Sequence, residues 1–364
     1  MENKFKKSNN QLFAISLLDG RNWNKVEIIS QYFSEFALIK YRILVEIKFL
    51  IFLSQNTKII RKLTNQEIKK LNVIVDNFTE TDANKVKEIE KKINHDVKAV
   101  EYFLQKEFKK CGLSDLIEFI HFGLTSYDIN IPAYALMLTD FNRDVVNPYL
   151  NKIMISLKKI IAETKEMLML ARTHGQPALP TTMGKEMAVY YQRMVKASKS
   201  IHNYQFEGKL NGAVGNFNAL VFTHPNENWL KFSQEFIFSL GLCPNLITTQ
   251  ILPYDNWLIY FDSLKRINYI LLGLVQDIWW YISLEYFLQK RVDTEVGSST
   301  MSHKINPITF ENAEGNLGFA NSQWEFFVRK LSVSRLQRDL SDSTIKRDFG
   351  LTFGFTLLAW DSLL

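Results

Sequence analysis

The stretch Leu150–Leu168, LNKIMISLKKIIAETKEML, carries apolar side chains at Leu150, Ile153, Leu157, Ile160 and Leu168. Steps of three, four and eight repeat one face of a 3.6-residue helix and not the alternation of a strand. Pro148 precedes the run and suits a helix start, where no N–H is needed. A second run, Val86, Ile89, Ile93, Val97, Val100 and Leu104, has the same period. The pattern continues through Gly184–Ile201 and Trp257–Gln289 with few breakers. Strand signals are sparse, and no asparagine–glycine turn joins two alternating runs. Asn211–Gly212 falls inside Gly208–Asn218, which reads as a loop or short ribbon. These observations predict an all-α protein built on long helices.

The chain has 364 residues, 46% hydrophobic and 23% charged. That composition excludes a disordered or collagen-like chain, and the length predicts roughly two to three domains. A composition shift at Cys111–Ser114 places the boundary between an N-terminal helical domain, 1–114, and a central long-helix domain, 115–364. Cys111 and Cys243 match no zinc or CxxC spacing, so a disulfide scaffold is excluded and a reducing, cytoplasmic setting is expected. The polar N-terminus is not a secretory signal. Tyr269–Phe287 is the most apolar long stretch, but Gln276, Asp277 and Glu285 interrupt it, which predicts a buried bundle helix and no membrane span. Lys plus Arg number 44 and Asp plus Glu 38, a net charge of +6. The excess favours anionic ligands in general; no basic block points to nucleic acid. The apolar stretch Leu351–Leu364, with Ala359, Trp360, Leu363 and Leu364, predicts a partner surface or a further segment packed against it.

Three polar breaks interrupt the helical pattern, at Thr125–Asn130, Arg172–Thr182 and Val296–Pro307. Loops on a rigid helical frame are where ligand chemistry concentrates. Gly297–Pro307, GSSTMSHKINP, combines serine hydroxyls, a lysine and an amide, with Pro307 at a helix start. There Asn306 is expected to cap the helix or to donate to a ligand, and the helix-start amides could hold a carboxylate. Arg172–Pro177, RTHGQP, sets His174 off any helical stripe, and an imidazole exchanges protons near neutral pH. His95, in Asn94–Lys98, lies two positions before Val97, about 200° around a helix, so it faces away from the apolar stripe. Each has a plainer reading: a serine-rich surface loop, and structural or solvated histidines. Thr125–Asn130 could equally be a helix cap. Arg335–Arg347 carries Arg335, Arg338 and Arg347, forks suited to phosphate or carboxylate, but Asp339, Asp342 and Asp348 permit a surface ion-pair network.

On these strings the sequence resembles the fumarase/aspartase superfamily, whose signature loop is GSSxMPxKxNP. It is most similar to the branch that cleaves adenylosuccinate, in its longer bacterial form. The matching strings are NHDVKAVEYF (94–103), HFGLTSYDIN (121–130), RTHGQP (172–177), GKEM (184–187), NGAVGNFN (211–218), TTQI (248–251), Glu295–Gly318 and LSVSRLQRDLSDSTIKR (331–347). The likeness runs from about Asp19 to Leu364. It implies the L-aspartase-like fold, a long helical bundle that assembles into a homotetrameric core with sites shared between subunits. The implied activity is C–N cleavage releasing fumarate, from adenylosuccinate to give AMP and from the succinylated aminoimidazole carboxamide ribotide. Neither metal nor organic cofactor is implied, nor a nucleic-acid or membrane partner.

The resemblance makes Ser298 the base beside a succinyl carboxylate and His174 the acid at the leaving nitrogen. It makes Lys304 and Asn306 carboxylate holders, Glu311 the group that orients His174, and His95 a neighbour of the reacting atoms. Asn94, Asp96, Thr125, Ser126 and Gln250 are implied in substrate binding, and Arg21, Asn22, Arg338, Ser343 and Arg347 in gripping the nucleotide. Residue chemistry agrees. A carbanion beside a carboxylate needs a clamp of cations and donors, serine needs help to act as a base, and an amine departs poorly unless protonated. The sequence departs from the family at Ser302 for proline, Asn22 for tyrosine, Tyr127 for an acidic residue, and Leu252 and Tyr254 for glutamate and histidine. The family's usual C-terminal helical domain has no counterpart in the sequence. A non-catalytic remnant, a sister lyase on argininosuccinate, aspartate or malate, and a nucleic-acid-binding module are the alternatives. Arg335–Arg347 argues against the sister lyases, whose substrates have no phosphate.

Overall fold

The computed structural model describes residues 11–289 and 305–364. Helices dominate the described residues. The N-terminal part contains α1 (Glu35–Asn56), α2 (Asn65–Asp76), α3 (Glu80–Ile93) and α4 (Asp96–Lys110). Then come α5 (Ser126–Phe141) and α6 (Asn147–Thr164), joined by a π-type turn at Asn142–Val146. Strands β1 (Leu168–Thr173) and β2 (Gln176–Thr182) follow, and then α7 (Met183–Ser198), α8 (Trp229–Ser239) and the long α9 (Asp255–Ser283). The described chain closes with α10 (Ile308–Leu331), α11 (Ser341–Lys346) and α12 (Phe349–Asp361). Pro148 stands in the first turn of α6, where its fixed φ fits, as the sequence predicts. A two-residue parallel ribbon pairs Glu207–Gly208 with Cys243–Pro244 at the edge of the predicted loop.

The long helices pack as a bundle: α9 against α10 and α7, α10 against α12, α6 against α7, and α1 against α5. Aromatic rings fill the space between α9, α10 and α12. Phe261 stacks on Trp324 at 5.0 Å, and Phe349 and Phe353 meet the same pair edge-on. A helix that is apolar on every side must be buried, and α12 is, with Phe353, Leu357, Ala359 and Trp360 all inside. The Trp360 indole N–H donates to Asn268 Oδ1 at 2.9 Å. Of the residues behind the expectation drawn from Leu351–Leu364, Ala359 and Trp360 fill the chain's own core, while Leu364 is 51% exposed. Along α9 the buried stripe ends at Val275, and Trp280 is 57% exposed. The expectation of a wholly buried helix therefore holds for only part of Tyr269–Phe287. No helix among the described residues is long and apolar enough to cross a membrane.

Two local expectations are corrected. The run Val86–Leu104 is two helices and not one. Asn94 ends α3 in the left-handed region (φ 54°), and His95 is extended. Asparagine tolerates that conformation, so the period of three and four is carried across a break. Arg172–Thr182 is not a loop but the body of an antiparallel hairpin. Its turn is His174–Gly175, with φ 53° and 74°. Two positive φ values in succession match the right-handed strand twist, and histidine is among the side chains that accept the left-handed region.

Candidate active site

The N-terminus of α5 organises one group of the sequence-predicted residues. Thr125 caps the helix, its N–H donating to Asp128 Oδ2 at 2.9 Å. Asp128 is fully buried and accepts from the N–H groups of Asn211 and Gly212 at 3.0 Å each. Its countercharge is Lys209 Nζ at 3.1 Å. Burial pushes that ammonium's pKa down, with Asp128 opposing. Lys209 also donates to the carbonyl of Gln250 at 2.8 Å. The α5 cap, the 209–212 loop and the Gln250 segment are thereby locked together. Asp128 and Lys209 are sites that sequence reading missed; each stood inside a matched or glycine-rich string without a cue that they pair.

Gln250 accepts Arg338 Nη1–H on Oε1 at 2.8 Å. The Arg338 guanidinium lies 4.2 Å from the centre of the Tyr127 ring. Arg347 donates to Asp96 at 2.9 Å and to Glu35 at 2.8 Å. Asp96 also takes Arg42 at 2.6 Å, and Arg42 is held by Asn130 Oδ1 at 2.8 Å. Burial would raise the Asp96 carboxyl, but the two arginines and the Val97 N–H outweigh it and hold it below the usual range. His95 is the N-cap of α4, with Nδ1 accepting from the Lys98 N–H at 3.1 Å. Its ring is half exposed next to Asp96. The helical-face reading of His95 is thus replaced: it belongs to a cap, and its Nε2 carries the proton of the neutral ring. Arg21 and Asn22 precede Trp23, which lines a cavity of about 400 Å³ with Ser34, Arg347 and Asp348. Ser126, Ser343 and Asn94 sit within the same elements, at the start of α5, in α11 and at the end of α3.

The second group lies at the far end of α9. His174 tips the hairpin, and Arg172 Nη1–H donates to the Gly175 carbonyl at 3.2 Å. Tyr286 OH ties β1 to the end of α9 through the Leu170 carbonyl at 3.2 Å. A cavity of about 400 Å³ there is lined by Arg172, Gly175, Glu186, Asp277 and Tyr281. Glu311 accepts the Trp279 indole N–H at 3.1 Å, and no hydrogen bond among the described residues joins it to His174. Gln289 donates to the Ile305 carbonyl at 2.9 Å. Ser298 and Lys304 lie outside the described residues. Pro307, and not Asn306, occupies the cap of α10, and the Asn306 carbonyl accepts from the Ile308 N–H at 2.9 Å. Asp255 adjoins the first group and Trp279 the second, so 24 residues of helix separate them, about 36 Å at 1.5 Å each.

Residues 20–319 match a family model described as Lyase. Among solved structures, a fumarate lyase from Mesorhizobium sp. BNC1 aligns over 93% of this chain and 73% of its own, with TM-score 0.70 and 15% identity. A β-carboxy-cis,cis-muconate cycloisomerase from Acinetobacter calcoaceticus aligns over 93% and 74%, with TM-score 0.71 and 16% identity. Fold and family model define a helical lyase of the fumarase/aspartase type. An adenylosuccinate lyase of Buchnera aphidicola (subspecies Baizongia pistaciae) is 48% identical over 97% of this chain and 77% of its own length. Those of Legionella pneumophila and Escherichia coli K12 are 48% and 44% identical, each over 97% of this chain and 78% of their own. The chain belongs to the adenylosuccinate lyase family.

Proposed function

We propose that this chain cleaves the C–N bond of adenylosuccinate to give AMP and fumarate, and treats the succinylated aminoimidazole carboxamide ribotide in the same way. The observation that carries the reading is the convergence of Asp96, Gln250, Arg338 and Arg347 around the cap of α5, in a chain of this family. Two guanidinium forks there suit a phosphate. The reaction is an elimination. Ser298 removes a proton from the carbon beside a succinyl carboxylate. The electron pair forms the fumarate double bond as the C–N bond breaks. His174 protonates the departing nitrogen, and Lys304 and Asn306 hold the carboxylates while charge develops.

The same reading makes the working unit a homotetramer in the cytoplasm. Two halves of a site about 36 Å apart on one rod can meet only when rods from different copies lie side by side. The hairpin supports this, since Leu168 and Leu179 are 81% and 75% exposed. The division at residue 114 into N-terminal and long-helix domains belongs to this proposal. The test is fumarate release from adenylosuccinate by the purified chain, followed by absorbance. Fumarate and AMP in equal amounts are expected. A folded oligomer that releases none would refute the catalytic reading.

A further inference from the structure

Behind Arg338 lies a buried cluster that the elimination chemistry does not use. Lys346, on α11, is 2% exposed, and its ammonium donates to Asp342 Oδ2 at 2.6 Å. Tyr127 OH donates to Asp342 Oδ1 at 2.7 Å, and Tyr254 OH to Oδ2 at 2.7 Å. Lys346 also donates to the Tyr254 oxygen. Its ammonium sits 4.6 Å from the centre of the Tyr127 ring, the ring that carries Arg338 at 4.2 Å. Tyr127 and Tyr254 are two of the positions where this sequence departs from its family. In this structure both departures point at one carboxylate.

The electrostatics follow from these contacts. Asp342 is a buried anion bound to the hydroxyl of Tyr127, the ring on which the Arg338 fork lies. Paired with Lys346 and two phenols, it has no further demand for a cation, so Arg338 stays on the Tyr127 face with Gln250. Without Lys346, Asp342 becomes an unpaired buried charge, which is costly. Arg338, which shares the Tyr127 ring with Lys346, is then drawn toward Asp342, and that turn takes it away from its site. We propose that Lys346, through Asp342 and the phenols of Tyr127 and Tyr254, is a positioning residue for Arg338 and so sets how tightly the phosphate end of a nucleotide is held. The inference rests on the reading of Arg338 as a phosphate-holding group.

Burial pulls the Lys346 ammonium down to about 8, with Asp342 opposing and Arg338 and Arg42 adding to the fall. The groups facing it are Asp342 on its own helix, Tyr127 and Tyr134 on α5, Tyr254 before α9, Arg338 before α11, and Arg42 on α1. Glu35 and Arg347 border the small cavity beside it. The burial-raised phenols of Tyr127, Tyr134 and Tyr254 stay protonated through neutral pH. Loss of the Lys346 proton above pH 8 therefore mimics its removal.

The test is calorimetric binding of AMP and of adenosine, which needs no turnover, to wild type, Lys346→Met, Arg338→Ala, Lys346→Met/Arg338→Ala and Lys346→Met/Asp342→Asn. Lys346→Met is expected to weaken AMP at least 5-fold and to leave adenosine unchanged. Adding it to Arg338→Ala should weaken AMP less than 2-fold further, because the two act on one contact. Removing the Asp342 charge as well should return AMP to within 2-fold of wild type. Wild-type AMP affinity should fall between pH 7 and 9, and the Lys346→Met/Asp342→Asn variant should lose that dependence. Unchanged AMP affinity in Lys346→Met, equal loss of AMP and adenosine, or no rescue by Asp342→Asn would overturn the inference. If Lys346→Met does not fold, a flat wild-type affinity from pH 7 to 9 overturns it alone. A wild type that binds no AMP refutes the nucleotide-binding reading instead.

Discussion

His121 Nδ1 lies 2.6 Å from Glu46 Oε1, with Glu46 almost wholly buried. Burial alone would lower the imidazole's pKa, but the Glu46 charge and hydrogen bond outweigh it and hold the value above the usual 6.5. A raised pKa in the folded state means the pair stabilises fully below about pH 6.5 and loses that contribution as pH rises through the folded value. Melting temperatures measured from pH 6 to 9 should therefore fall more in wild type than in Glu46→Gln; parallel curves would contradict the assignment. Ser298→Ala is expected to abolish turnover, by at least about 10³-fold, while substrate binding stays nearly intact. Turnover near wild type would remove Ser298 as the base. At this scale the sequence names the charged residues but not their partners. Arg338 and Arg347 were legible as forks, and Asp342–Lys346 has the i,i+4 spacing of a helical pair, whereas Asp128–Lys209 pairs across a fold that no local spacing reveals.

Among the elements, the long helices were legible because an apolar stripe has one period. What failed was where such a stripe is handed from one helix to the next, at Asn94–His95, and where a hairpin turns on a histidine. Both depend on single residues in the left-handed region, which periodicity does not register. The 211–218 loop shows how tightly such elements constrain the site. A Cβ on Gly215, at φ 82°, would sit 2.1 Å from the Thr248 carbonyl oxygen, two residues before Gln250. Backbone strain of this kind costs about 1–3 kcal/mol even before the clash. Gly215→Ala should lower the melting temperature and raise KM for adenosine-monophosphate-bearing substrates, read by thermal scan and steady-state kinetics. Unchanged values in both would mean the loop can shift freely.

For the whole molecule, the proposed function makes α9 a spacer between the end that carries Arg338 and Arg347 and the end that carries His174. Its apolar stripe stops inside the chain and leaves Trp280 outward, near an exposed hairpin. Sequence resemblance supplied both sets of residues but could not show that one chain keeps them about 36 Å apart, because separation along a rod is a property of the folded helix. The proposal of a site shared between copies is tested most directly by mixing two crippled chains. Arg338→Ala/Arg347→Ala spoils the phosphate end, and His174→Ala spoils the proton donor. After subunit exchange, the mixture should show kcat/KM for adenylosuccinate at least about 10-fold above the sum of the separate variants. Mixed oligomers that form but show only that sum would contradict a site built from different copies.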